Sequence, residues 1–536
     1  MVTQLMPTPA GSALANLLEH PVVERTVDVV PLIMVLLSLT AAIAIFPLRD
    51  PQRGVRTTVN LLAAVAKVGL IAALVPAVVG EGLRPEFSMP FLPGIDLVLR
   101  ADPMALFFGG LSALLWLLTT IYAIGYLRGT PHQSRFFGFF SLCVTATVGI
   151  SFAGNLVTFL IFYEMLTLVT YPLVAHWGNP ASLRAARIYL RYAMGGGLAV
   201  LIGVVWLTMY AGAVDFAEGG AEGVAELSER SPGVATVIFV LLICGLGVKA
   251  ALFPLHGWLP HAMVAPAPVS ALLHAVAVVK AGVFGIVRVI DDVYGISVAD
   301  ELGVLTPVLV VACFTIVYGS YQALRQNDLK KRLAYSTVSQ VSYVVLGVTL
   351  VTELATTGGV VHLVHQGIMK ITLFFCAGLF AEVVRVKAVD QMRGLGYRMP
   401  WASAAFTIAA FGMIGLPPTA GFISKWQLGQ GAIASDHPWV LWVLIASSLL
   451  NAAYFLPVVY GMWFRDPPQD SESARQDSGA AQQGSSETRS VQVREPLMLA
   501  VPALCTAGFS VVVGLAAAVP FSPLSLAEYI AEGVFG

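Results

Sequence analysis

The stretch 245–260, GLGVKAALFPLHGWLP, and a second at 415–426, GLPPTAGFISKW, decide how this chain is read. Each sets a lysine, Lys249 or Lys425, beside proline within an apolar run. Proline removes a backbone donor and clashes with the preceding turn, so a helix is expected to break at each place. In a bilayer the freed backbone groups are tolerated only where protein or a watery cavity surrounds them. Paired interruptions in the two halves of one chain point to inverted repeats around an ion site near membrane mid-depth.

The surroundings of those stretches make the membrane unavoidable. Of 536 residues, 57% are apolar and only 11% are charged, a balance that excludes an ordinary soluble domain. Apolar runs of spanning length recur to give about fourteen segments, among them 28–48, 262–290, 333–351, 401–430 and 496–519. The predicted fold is an all-α polytopic membrane protein of about fourteen transmembrane helices, with two inverted five-helix repeats and two broken helices. Helices one to three occupy 1–130, the first repeat (helices four to eight) 131–290 and the second (helices nine to thirteen) 291–464. A Ser/Gln/Asp-rich loop covers 465–495, and the last helix falls in 496–536.

Basic residues between the spans set the orientation. One set of loops carries Arg49, Arg53 and Arg56, then Arg325, Lys330, Lys331 and Arg332, then Arg385, Lys387, Arg393 and Arg398; the opposite set has only Arg25, Arg84, Arg100, Arg230 and Arg288. The rich side is read as cytoplasmic, which places both termini outside a plasma membrane. The first 27 residues lack the basic, apolar and small-residue order of a cleaved signal, so the first span is expected to stay. The five cysteines stand singly in apolar segments, so neither a disulfide framework nor a metal cluster is expected. No phosphate-binding loop or nucleophile constellation appears. A transporter subunit rather than an enzyme is therefore expected, without cofactor or nucleic-acid partner, its energy drawn from an ion gradient or a neighbouring subunit.

Against that background the charges kept inside the spans carry the functional reading: Lys67, Lys249, Lys280, Lys370, Lys425 and one carboxylate, Glu164. Each costs roughly 2.5 to 3.5 kcal/mol at a helix centre. Burial disfavours the charged form of a lysine while a nearby carboxylate favours it, so an ion pair of Glu164 with Lys249 would form a switch that holds or expels a proton. In HLVHQGIMK, 362–370, His362 and His365 are about 60° apart on the helix, and Lys370 lies about 80° from His362 on its other side, which makes one broad polar face. Histidine titrates near neutrality and suits a relay. Lys67 has no titratable neighbour in its span and is expected to snorkel toward the cytoplasmic side. Ser336, Thr337 and Ser339 are further candidates for holding water along a pathway.

Five stretches occur in a telling order: FYEMLTLVTYPLV at 162–174, the run from Gly245 to Phe284 that ends ALLHAVAVVKAGVF, DLKKRLAYSTVSQVSYVVLG at 328–347, HLVHQGIMKITLFFCAGLF at 362–380, and GLPPTAGFISKW at 415–426. Across roughly residues 100–460 the chain resembles the antiporter-like subunits shared by respiratory complex I, membrane-bound hydrogenases and Mrp cation/proton antiporters. A lysine in the twelfth span, and the length, are most similar to the Mrp D-type subunit. The resemblance implies a proton path through Glu164, Lys249, Lys280 and Lys425, with His362, His365, Lys370, His256, His261 and His274 as relay partners. It implies other membrane subunits as partners and exchange of protons for a monovalent cation, Na+ being expected; the alternative is a proton-pumping subunit of a complex I-type oxidoreductase or hydrogenase. One departure stands out. Many relatives carry an acidic residue and then a histidine after Leu-Pro in the seventh-to-eighth connection, where this chain reads Leu259, Pro260, His261, Ala262, Met263.

Overall fold

The computed structural model describes residues 27–466 and 492–536. The principal helices are α1 (Val30–Ile45), α2 (Arg53–Val75), α3 (Pro103–Tyr126), α4 (Gln133–Ser151), α5 (Leu156–Val174), α6 (Pro180–Ala211), α7 (Pro232–Lys249), α8 (Ala267–Ala275), α9 (Val278–Arg288), α10 (Leu305–Arg325), α11 (Leu329–Val348), α12 (Glu353–Val383), α13 (Pro400–Ile414), α14 (Ala420–Ala434), α15 (Val440–Phe464), α16 (Leu497–Leu515) and α17 (Pro523–Phe535). Short residues start many of them: Asn155, Asn179, Asp328 and Thr352 each accept a hydrogen bond from a backbone N–H three residues on, which satisfies a donor that the helix itself cannot.

Each of the fourteen expected spans falls on helix, and eleven helical segments among the described residues are long and apolar enough to cross a membrane. The other three fail for separate reasons. Helix α1 has 16 residues; α11 is too polar, since LKKR opens it and hydroxyls and Gln340 follow; and the span expected at 401–430 is divided into α13 and α14, 15 residues each.

The molecule is organised around α12, a 31-residue helix whose apolar window is wholly buried. It is wrapped by α3, α8, α11, α13, α14, α16 and α17. The α8–α9 segment is likewise buried throughout. Outer helices such as α6 and α15 bury well under half of their apolar window and turn the remaining surface outward, as the lipid-facing ring of a bundle should.

Three features depart from the expectation, and one expected segment falls largely outside the described residues. An antiparallel hairpin, β1 (Glu86–Leu92) with β2 (Ile95–Arg100), joins α2 to α3, with Gly94 at φ +77° in its turn. Helix α17, packed on α12 and α3, follows the last expected span. The α8–α9 segment, expected as one helix over 262–290, is interrupted at Val276 and Ala277, where no proline or glycine stands. The polar loop expected at 465–495 lies mostly outside the described residues.

Candidate functional site

The first break is built as the sequence requires. Helix α7 ends at Lys249, Ala251 takes the left-handed conformation at φ +57°, and the chain returns through short turns to α8. The carbonyl of Val248, freed by the break, accepts a 2.7 Å bond from the Trp258 indole. Lys249 is thereby released from capping its own helix, and its ammonium donates to the backbone carbonyl of Tyr163 on α5, beneath the Tyr163 ring at 3.2 Å from the centroid. The expected Glu164–Lys249 salt bridge is not made: neither residue is among the ion pairs of the described residues. The ammonium instead holds the peptide adjoining Glu164, and one Glu164 oxygen is buried without a partner. The Glu164 carboxylate lies against α6 at Gly197; a Cβ there would overlap it and force the side chain to shift.

The middle of the protein holds two more ammoniums without carboxylate partners. Helix α9 crosses the end of α7 at Gly282, where a Cβ would meet the backbone of Lys249 and Ala250, and two residues earlier Lys280 donates to the carbonyl of Leu363 on α12 at 2.7 Å. Lys370, a further two turns along α12, donates to Ser336 Oγ at 2.8 Å. His274 stacks on Phe374 with centroids 4.6 Å apart, and neither of its ring nitrogens has a partner.

At the second break the lysine does what Trp258 does at the first. Helix α13 stops at Ile414, Gly415 turns at φ +95°, and Lys425 from the second turn of α14 reaches back to donate to the carbonyls of Met413 and Ile414, both at 2.9 Å, with Ser448 Oγ at 3.2 Å. A cation there meets the negative end of the α13 dipole. Its neighbour Ser424 shares a 2.8 Å hydrogen bond with His362 Nδ1, so α12 and α14 are joined one residue from the ammonium. A second connection comes from α15. The Tyr454 hydroxyl lies 2.9 Å from Ser336 Oγ and also bonds Asn451 Oδ1, while Asn451 Nδ2 donates to the Met413 carbonyl at 3.3 Å.

Both nitrogens of His365, Nε2 of His362, and the amides of Gln340 and Gln366 are buried without protein partners. Buried polar groups are rarely left so, and ordered water is the usual remedy. This concentration of unfilled hydrogen-bonding capacity follows α12 between Lys280 and Lys425.

Not every expected residue joins this line. His256 is buried among Phe253, Tyr318 and Tyr335, whereas His261 is exposed and bonded to its own turn at Gly257 O. Lys67 does not snorkel: it is fully buried, donates to Ser38 Oγ at 2.7 Å and sits 4.9 Å from the Trp116 ring centroid. Ser336 takes part through Lys370, Ser339 bonds Ser320 at 2.8 Å, and Thr337 bonds only its own helix. Sequence reasoning missed a buried ion cluster in which Arg288 bonds Asp102 at 2.7 Å and Asp292 at 2.6 Å, with Asp291 buried beside it and unpartnered. The four-residue spacing of Arg288 and Asp292 was the available signal. It was hidden by a span boundary drawn at residue 290.

Comparison with known proteins identifies the family. Residues 153–451 match the family model described as NADH:quinone oxidoreductase/Mrp antiporter, TM. The chain is 36% identical over 427 residues to NADH-quinone oxidoreductase subunit N of Desulforudis audaxviator, covering 77% of this chain and 81% of that protein. It is 30% identical to a probable K(+)/H(+) antiporter polypeptide of Rhizobium meliloti, covering 80% of this chain but only 43% of that longer protein. Among solved structures, a chain of the Mrp complex from Dietzia superposes with a TM-score of 0.80 at 22% identity, covering 95% of this chain and 99% of that one.

Proposed function

The chain belongs to the NADH:quinone oxidoreductase/Mrp antiporter family of membrane subunits, and from that membership we propose that it is the proton-translocating subunit of a multisubunit monovalent cation/proton antiporter, with Na+ as the exchanged ion. One observation carries the reading: three buried ammoniums, Lys249, Lys280 and Lys370, and the half-buried Lys425 each donate to a backbone carbonyl or a hydroxyl rather than to a carboxylate. A carboxylate would hold such a cation charged. Carbonyls and hydroxyls stabilise it while leaving the neutral amine accessible. Protons are loaded at Lys249 under the influence of Glu164, pass to Lys280, cross the region of unpartnered histidine and glutamine groups along α12, and reach Lys425. The two five-helix repeats, over 131–290 and 291–464, supply one broken helix each. Both termini lie on the outer side of the plasma membrane.

The test is proton and Na+ movement in inverted vesicles containing the assembled complex. Proton release on addition of Na+, abolished by Lys280→Met, is the expected result; exchange for K+ alone corrects the ion and keeps the relay. A second reading has its own support in the 36% identity to an oxidoreductase subunit. In that reading the same relay is driven by electron transfer in a partner. A mass-spectrometric inventory of the intact complex separates the two, since flavin and iron–sulfur subunits belong only to the second.

A further inference from the structure

Helix α15 contributes none of the charged residues of the relay, yet its side chains complete a direct connection between two of the relay lysines. Starting at Lys370, the ammonium donates to Ser336 Oγ at 2.8 Å; Ser336 Oγ is 2.9 Å from the Tyr454 hydroxyl, which also contacts Asn451 Oδ1; Asn451 Nδ2 donates to the Met413 carbonyl at 3.3 Å; and that carbonyl accepts from Lys425 at 2.9 Å. Every side chain in the sequence Lys370, Ser336, Tyr454, Asn451 is fully buried, so water competes poorly for these bonds.

The direction of the bonds follows from counting hydrogens. A serine or tyrosine hydroxyl has one proton to give and lone pairs to receive. Asn451 Oδ1 can only accept, so with every bond made Tyr454 gives its proton to Asn451 and Ser336 gives its own to Tyr454, leaving Ser336 lone pairs for the charged Lys370. The amide then donates to the Met413 carbonyl beside Lys425. When Lys370 is neutral its lone pair can accept from Ser336, Tyr454 turns to donate to Ser336, and Asn451 Oδ1 loses its donor. An amide cannot pass a proton onward as a hydroxyl can, so the chain transmits orientation and not the proton itself.

We propose that Tyr454 and Asn451 are positioning residues that report the charge of Lys370 to the Lys425 site by switching the Tyr454 hydroxyl between Asn451 Oδ1 and Ser336, which makes or removes the bond that holds the Asn451 amide against the Met413 carbonyl. The proposal rests on the proton-relay reading given above, and it adds a second route of communication beside the one through His362 and Ser424. Other titratable or charged groups surround both ends: His274 and Lys280 face Lys370, His362 and the Tyr343 ring face Lys425, and Arg332 and Tyr343 adjoin Tyr454. None of these lies in the hydrogen-bond chain itself.

The test is to titrate Lys425 by NMR in the intact complex carrying ¹³C-labelled lysine, in wild type, Lys370→Met, Tyr454→Phe and the double variant. Tyr454→Phe keeps the ring that packs on Phe455, with centroids 4.6 Å apart, and deletes only the hydroxyl. Expected is a displacement of the Lys425 midpoint in the same sense in both single variants, by at least about half a pH unit, with no further displacement in the double variant, as for residues acting in one series. A Tyr454→Phe midpoint equal to wild type, or shifts that add in the double variant, overturns the proposal. Should Tyr454→Phe not assemble, Asn451→Ala breaks the next link and carries the same expectations. The relay reading fails separately: wild-type vesicles that move no protons would refute it whatever the Lys425 titration shows.

Discussion

Glu164 and Gly197 show how closely single residues constrain the proposed mechanism. The carboxylate occupies space left by an absent side chain, so Gly197→Ala is expected to displace it as effectively as Glu164→Gln neutralises it. Both should lower proton transport by at least about tenfold while the complex still assembles; native rates in vesicles matched for protein content would remove Glu164 from the path. Lys425 makes a different demand, because its partners are two carbonyl oxygens. Lys425→Ala leaves them without a donor and should stop transport. Lys425→Glu should retain a small part, because a carboxyl facing two carbonyls can bond only while protonated; a glutamate variant as active as wild type would mean that those carbonyls do not bind the transferred group. The place of these lysines within apolar spans was legible in the sequence. Their partners were not. Nothing in the local sequence tells that Lys249 bonds the peptide beside Glu164 instead of its carboxylate, because that choice is made by how α5 and α7 both pack on α6.

At the scale of helices, two breaks were readable and one was not. Prolines at 254, 417 and 418 announced the ends of α7 and α13, whereas the interruption between α8 and α9 occurs in AVAV, which has strong helical and strand character alike and no breaker. Tertiary packing against α12 decides it. Lys67 and Lys280 make the contrast that separates relay lysines from merely buried ones. Lys67 has one hydroxyl and a tryptophan face among α1 and α3, so Lys67→Met should leave transport largely intact and raise the thermal unfolding temperature, since replacing a buried ion with an apolar residue is often neutral or stabilising by about 1 to 4 kcal/mol. Lys280→Met, which removes another buried ammonium, should by the same argument raise the unfolding temperature but abolish transport; equal loss of transport in both would put Lys67 on the path. Arg288 ties α9 to the first turn of α3 through Asp102, and removing it strands buried carboxylates. Arg288→Gln should therefore cost about 3 to 5 kcal/mol, read as early unfolding of the detergent-solubilised complex, and an unchanged unfolding temperature would show that the cluster bears little weight.

Across the whole molecule, the order of the helical segments was legible because apolar length is written locally, while the arrangement was not, because it depends on which helix lies at the centre. Helix α12 resembles its neighbours in hydropathy, and its His and Lys residues were read as a single polar face of an amphipathic helix. In the structure that helix has no exposed side between Ala355 and Phe380, and its His, Gln and Lys residues meet different partners in different directions: His362 toward α14, Lys370 toward α11, and Leu363 O toward α9. Enclosure of α12 by seven other helices has a consequence for the host bilayer. A helix with no acyl chains against it cannot tilt or stretch to answer a change in hydrocarbon thickness; its outer neighbours absorb the mismatch. Lipids with longer or shorter tails should therefore alter how the protein seats among its partners well before they alter the spacing of the groups along α12.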